Sequence, residues 1–394
     1  MGGAAGNKSM WRNLRRAFAP ACVAGLLALV ACSGSETSNG AVRFALTDAP
    51  ACGFDAVNVT IERIRVHRNA DAGENATGWT DHRLDPARRL DLLKLSNGVL
   101  EELGQLSIPA GRYAQLRLVL AANGSGTPAN SVVPDGGDET ALDIAAAQGG
   151  IVVAHAFSVN QDRVTDVLFD FDACRSVAAS GSGGYVLRPV VRVAPRNGAT
   201  ISGYVDPALA GVTVSAQKAG VPARATVADA NGRFVLAFLD PAGSPYDVVF
   251  TAAGRATAVV SSVPVTSTAG AELSRMGAPI ALPTADDRAA SGTIGPTAAR
   301  STAAVRARQV VGSAGTLEVG FTRANAISGV YRLDLPAAQP RLAAFSTRLP
   351  LVFSATGTAG LYELGADADG YVAQVQAVDL RTSPATWSPT LLRQ

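Results

Sequence analysis

Apolar and polar residues alternate with a period of two through most of the chain, the mark of strands with one buried face. The clearest run follows Ile108-Pro-Ala-Gly-Arg112: Ala114, Leu116, Leu118 and Leu120 share one face, and Tyr113, Gln115, Arg117 and Val119 share the other. Pro109 and Gly111 in front of it predict a turn, one fixing its own φ and the other free to take a positive one. The same turn-then-strand order returns at Asp240-Pro-Ala-Gly-Ser-Pro-Tyr246, with Val248 and Phe250 on one face. A worn copy, Leu335-Pro-Ala-Ala-Gln-Pro340, lacks the glycine and the tyrosine. Three such signals about a domain apart predict an all-β chain of tandem β-sandwiches.

The first sandwich is expected over 42–194. Val57, Val59 and Ile61 lie on one face, but the apolar phase then shifts to Ile64 and Val66. If both halves face the same core, a β-bulge near Glu62-Arg63 follows. Trp79 to Leu84 reads as the return strand and Leu90 to Leu95 as another, closed by Asn97-Gly98, a strong hairpin signal. Val99 to Leu106 fits a strand and a helical turn equally. Val164 to Asp172 and Tyr185 to Val193 supply the closing strands.

A second sandwich is expected over 199–282, after the linker Pro195-Arg-Asn-Gly198, with Phe234, Leu236 and Phe238 on one core face. A third, over 290–394, reads as a degenerate repeat of the second. Ser291-Gly-Thr-Ile294 echoes Ser202-Gly-Tyr-Val205, Gly329-Val-Tyr-Arg-Leu333 echoes Gly232-Arg-Phe-Val-Leu236, and Leu351-Val-Phe-Ser-Ala-Thr-Gly357 echoes Val248-Val-Phe-Thr-Ala-Ala-Gly254.

The N-terminus changes the picture from fold to compartment. Lys8, Arg12, Arg15 and Arg16 precede an apolar run from Ala17 to Val30, short for a bilayer span. It ends in Leu29-Val-Ala-Cys32, which resembles the lipobox of bacterial lipoproteins. The resemblance implies a signal peptide over 1–31, a diacylglycerol on Cys32, and a polar stalk over 32–41. Ser33 after the cysteine, in place of an aspartate, favours the outer membrane. Removing the four basic residues takes the formal net charge from +2 to −2, so the mature chain has no electrostatic case for nucleic-acid binding.

Two further resemblances rest on ordered motifs. Thr47-Asp-Ala-Pro50, Leu90-Asp-Leu-Leu-Lys-Leu-Ser-Asn-Gly98, Pro109-Ala-Gly-Arg-Tyr-Ala-Gln-Leu-Arg-Leu118, Phe169-Asp-Phe-Asp172 and Leu187-Arg-Pro-Val190 together resemble the bacterial domain of unknown function 4382. That implies a secreted β-sandwich with no known activity. Ile201-Ser-Gly-Tyr-Val205, the Asp229, Gly232, Phe234, Leu236 hairpin and the turn before Tyr246 resemble the carboxypeptidase regulatory-like domain, a non-catalytic transthyretin-type sandwich.

The chemistry is sparse. No G-x-S-x-G, H-E-x-x-H, C-x-x-C or P-loop pattern occurs. His67, His82 and His155 are scattered without ligand spacing. Asp166, Asp170 and Asp172 share one face of an expected strand and would suit Ca²⁺, although a solvated sheet face explains them more simply. Trp79, beside a polar loop, is a candidate platform for a sugar ring. Cys52 and Cys174 are the two cysteines left in the mature chain once Cys32 is acylated, and an oxidising compartment predicts their disulfide.

The expectation is thus a non-catalytic envelope lipoprotein with a binding or scaffold role and no cofactor. It would be membrane-anchored through lipid, facing the periplasm or the surface, with envelope proteins or polysaccharide as partners. Carbohydrate binding is one alternative and a hydrolase with a dispersed site is another. A shared pocket between a nucleophile and a histidine would mark the hydrolase, and an exposed aromatic platform the sugar binder.

Overall fold

The computed structural model describes residues 38–48, 53–144, 147, 149–181, 183–209, 211–357 and 359–394. The described residues are almost entirely strand, with one α-helical turn at Ala173–Ser176 and a few 3₁₀ turns. Their buried side chains fall into three apolar cores.

The first core lies between two sheets. One runs Val191–Ala194, Val164–Phe171, Asn39–Asp48, Glu101–Pro109. Asn39–Asp48 is parallel to Val164–Phe171 and antiparallel to Glu101–Pro109. The other sheet has eight strands, with Phe54–His67 at its branch point, paired to Thr80–Asp91, Gly111–Leu120 and Ser131–Pro134. The register of Phe54–His67 slips between Ile61 and Arg63 against two of its neighbours. That is the bulge the apolar phase predicts, and it leaves Val57, Val59, Ile61, Ile64 and Val66 all buried. Phe44 and Phe169 stack across the paired strands at 6.2 Å between ring centroids. Each fully buried ring of this kind contributes about 1.5–3 kcal/mol relative to exposure.

Leu90 to Leu95 is not a separate strand. Thr80–Asp91 is continuous, and Leu92–Leu95 turns as a 3₁₀ helix. The Asp91 carboxylate accepts from Leu93 N at 3.2 Å and from Val57 N at 3.3 Å, drawing the backbone out of the ladder. Leu92 and Leu95, three apart, then face the same core. The segment after it resolves as the strand Glu101–Pro109.

The second and third cores are enclosed by sheets of the same order. In one, Ala199–Tyr204 lies between antiparallel Arg233–Leu239 and parallel Ala271–Glu272; in the other, Asp287–Thr293 lies between antiparallel Val330–Pro336 and parallel Ala385–Thr386. The opposing layers run Val221–Val227, Thr213–Lys218, Tyr246–Thr251, Ala258–Val263 and Thr316–Arg323, Ala304–Val310, Leu361–Asp367, Gln374–Asp379. Two of the echoes fall on equivalent backbone. Val205 N donates to Gly232 O at 2.8 Å and Ile294 N to Gly329 O at 2.9 Å, both glycines at φ +76. A Cβ on Gly232 would stand 2.1 Å from Val205 O, so only glycine fits.

Two local expectations need correction. Phe238 does not join Phe234 and Leu236 in the core. The pairing slips between Ala199 and Ile201, Phe238 takes φ +60, and Leu239 fills the core position instead. Leu351–Gly357 does not occupy the place of Val248–Gly254; Leu361–Asp367 does. The chain between, at Arg341–Ala344 and Ser354–Ala355, crosses back to extend the second sandwich, with Arg341–Ala344 parallel to Ala258–Val263. Phe345, Leu351 and Phe353 pack against the second core, not the third.

The recurrent turn has one physical purpose. Tyr113 Oη donates to Pro109 O at 2.9 Å, and Tyr246 Oη to Asp240 O at 2.7 Å. A Cβ on Gly243 would meet Tyr246 Oη at 2.1 Å, so the glycine makes room for the ring. In the worn copy, Tyr362 from a different strand donates to Pro336 O and takes the lost tyrosine's place. This resembles the tyrosine corner of other sandwiches, in which a buried ring closes a turn on the backbone upstream.

Candidate functional site

The three aspartates are neither a calcium site nor a solvated face. Asp166 accepts from Arg43 Nε at 2.7 Å and lies 3.8 Å from Arg196 Nε. Asp170, 2% exposed, pairs with Arg224 of the second sandwich, itself 6% exposed, and with Arg192 at 3.4 Å. Asp172 caps the helical turn Ala173–Ser176 by accepting from Arg175 N at 3.0 Å, and pairs with Arg175 Nε at 3.2 Å. Burial pushes the Asp172 carboxyl up from its ordinary range, with Arg175 opposing. Each carboxylate is taken by arginine, and no group of three or more His, Cys, Asp or Glu among the described residues is placed to hold a metal. The correction has a simple cause: Arg224 is a long way off in sequence, so the strand's polar face becomes an interface.

Trp79 is half-buried among neighbouring side chains. Its ring lies 4.9 Å from that of His67, with the Arg65 and Arg117 guanidiniums 4.8 and 5.2 Å from its centroid. Its Nε1 donates to Gly73 O at 2.9 Å. Trp387 packs against the third core, and its carbonyl accepts from Tyr331 Oη at 2.7 Å. Among the described residues the exposed large apolar side chains are aliphatic ones and Met276, while Trp79 and Trp387 are half-buried.

The histidines serve the first sandwich. His67 Nε2 meets Thr77 O at 3.0 Å while Asn69 N donates to its Nδ1 at 2.9 Å. His82 Nε2 meets Leu103 O at 2.9 Å beside Phe44. His155 lies near Phe157, and burial pulls its pKa down. None of the three lines either of the two cavities described below. Of the cysteines, Cys174 is disulfide-bonded, while Cys32 and Cys52 lie outside the described residues.

Polar groups converge instead where the three sandwiches meet. A cavity of about 350 Å³ is lined by residues from each, among them Asp172, Cys174, Gln217, Arg255 and Glu318. A second, of about 200 Å³, is lined by Arg175, Arg192, Arg306, Arg308 and Arg323 with one carboxylate, Glu318. Local geometry explains the clustering. Arg306 and Arg308 alternate with buried Val305 and Ala307 on one strand. On its partner, Ala307 pairs with Gly320 and Arg308 with Glu318, so Val319 is the extra residue of a bulge. The bulge brings Glu318, Phe321 and Arg323 to one side. Arg175 packs over Phe321 at 4.2 Å and Arg306 at 5.5 Å. Sequence reasoning missed this cluster, although Val305-Arg-Ala-Arg308 carries the alternation that would have shown two arginines on one strand face.

Residues 39–189 match the family described as a domain of unknown function (DUF4382). No curated protein matches the chain. Among solved structures, a type II cohesin–X-dockerin complex from Acetivibrio cellulolyticus aligns at 31% identity over 23% of this chain and 60% of that one, with a TM-score of 0.20. A streptococcal ancillary pilin aligns at 8% identity over 90% of this chain and 99% of that one, with a TM-score of 0.18, and the major pilin subunit of Bacillus cereus at 9% over 90% and 100%, with a TM-score of 0.15. The chain thus spans about 60% of the first of these structures. The family match brings a fold region without an activity.

Proposed function

We propose that this protein is a non-catalytic scaffold of the bacterial cell envelope, anchored in the outer membrane by lipid on Cys32. Its second and third sandwiches are read as carboxypeptidase regulatory-like modules. The observation that supports the scaffold reading most is the bonding between the sandwiches. Asn97 reaches from the first into the second, giving Nδ2 to Val227 O at 2.7 Å and accepting from Val235 N at 2.8 Å. Arg188 Nε donates to Ser301 O at 2.7 Å, tying the first to the third, and Arg341–Ala344 joins the second to the third. Buried polar and strand pairing of this density suits a part that holds position, and Asp166, Asp170 and Asp172 are each paired with arginine.

Fractionation tests the anchor. Cys32→Ser is expected to leave the protein soluble after cell disruption, while the unaltered chain stays with outer membranes through a high-salt wash. Retention of the serine variant in the washed membranes overturns the anchor. Turnover of generic ester, glycoside and peptide substrates by the purified protein would overturn the non-catalytic reading.

A further inference from the structure

We propose that the smaller junction cavity, lined by Arg175, Arg192, Arg306, Arg308 and Arg323, is a binding site for a small multivalent oxyanion of the size of phosphate. The charge census of its lining is unbalanced. Glu318 is the one carboxylate among the lining residues, and two arginines share it, Arg175 directly and Arg306 at 3.6 Å; each also has a carboxylate outside the lining, Arg175 pairing with Asp172 at 3.2 Å and Arg306 with Asp367. Arg308 has Glu363 only at 3.7 Å, and Arg192 has Asp170 at 3.4 Å, a carboxylate already engaged by Arg224.

Arg323 is the sharpest case. Its Nε donates to Arg175 O at 2.7 Å and its Nη1 to Thr302 O at 3.0 Å, and among the described residues no carboxylate lies within ion-pair distance. Burial first, and Arg306 second, pull its pKa down to about 10. A guanidinium removed from water next to like charges costs free energy unless an anion arrives to share its field.

Size and shape select the class. A space of about 200 Å³ admits a tetrahedral oxyanion or a compact polycarboxylate and excludes a nucleotide or sugar chain. Guanidinium forks match the paired oxygens of such anions, and stacking on Phe321 holds two of the forks in place. The lining comes from the first, second and third sandwiches, since Val221 and Pro222 of the second also border it. A bound anion would therefore also couple the three.

Isothermal titration of the soluble mature chain with inorganic phosphate, and separately with sulfate, reads the site. Saturable one-site binding is expected for one or both, with a rise in unfolding temperature as ligand is added. Arg192→Ala and Arg308→Ala, whose side chains are 44% and 37% exposed, should each weaken binding at least tenfold while the circular dichroism stays native. Arg323→Ala should abolish it, with Arg323→Lys recovering part. Arg381→Ala, at an exposed pair with Asp379, should change nothing. Absence of heat with both anions overturns the site, and so does equal affinity in the two rim variants or an equal loss in Arg381→Ala.

Discussion

Gln217 pairs with the backbone of Glu318 as a neighbouring strand would: its Nε2 donates to Glu318 O at 2.7 Å, and Glu318 N donates to its Oε1 at 3.0 Å. Both residues are buried, and they belong to different sandwiches. One amide side chain thus satisfies a donor and an acceptor that the bulge at Val319 leaves beside the junction. Gln217→Leu would strand both, at about 1–3 kcal/mol for each buried group. Urea unfolding should show a lower midpoint, and a midpoint equal to the parent's would mean that the pairing contributes nothing.

The buried pair between Asp170 and Arg224 makes an asymmetric prediction. Asp170→Ala leaves Arg224 charged and enclosed, so a loss of about 3–5 kcal/mol is expected. Asp170→Ala with Arg224→Met removes both charges and should recover most of that. Equilibrium denaturation of the single and double variants measures the difference, and a double variant no better than the single one refutes the account.

Tyrosine ionisation should limit stability at high pH. Burial pushes Tyr331 up to about 12, and it raises Tyr362 and Tyr246 as well, with Asp287 and Asp240 adding to the respective shifts. Below pH 10 these phenols are protonated in folded and unfolded chains alike, so their full contribution is present. Above it the unfolded chain ionises first, and stability falls as pH rises through about 12. Tyr331→Phe and Tyr362→Phe should flatten that decline while costing about 0.5–1.5 kcal/mol at neutral pH for the lost hydrogen bond. Thermal unfolding at pH 8 and pH 11, with tyrosinate absorbance as the second readout, tests both halves.

We further propose Cys52 as the partner of Cys174. The bond would close a loop of 122 residues, for which chain entropy gives about 5 kcal/mol as an upper figure. Labelling of the denatured, unreduced mature protein should find neither thiol reactive, and two reactive thiols would dispose of the pairing.

Much of the fold was legible because its signals are local. The Ile61-to-Ile64 phase change wrote the bulge into the sequence, and the Gly-containing echoes located two equivalent strands in the repeat. What stayed hidden depends on partners distant in the chain. Asp170 reads as a solvated strand residue until Arg224 is brought against it, and Phe238 reads as core until the slip at Ala199 turns it out. The arginine cavity exists only where three sandwiches meet, so no single stretch announces it. The partners of the three histidines were equally out of reach of a sequence reading: His67 and His82 meet backbone carbonyls and His155 lies beside Phe157.

The return of Arg341–Ala344 to the second sandwich has a consequence for synthesis. Ser261 pairs with Ala344, and its hydroxyl donates to Ala343 O across 82 residues of chain. As the polypeptide leaves the ribosome, the second sandwich emerges with the Ala258–Val263 edge bare, and it stays bare until Arg341–Ala344, about halfway through the third, has followed. An unpaired strand edge is where chains adhere to one another. A nascent chain stalled near residue 282 is therefore expected to be aggregation-prone, because the second sandwich is completed only by strands drawn from the segment that follows it.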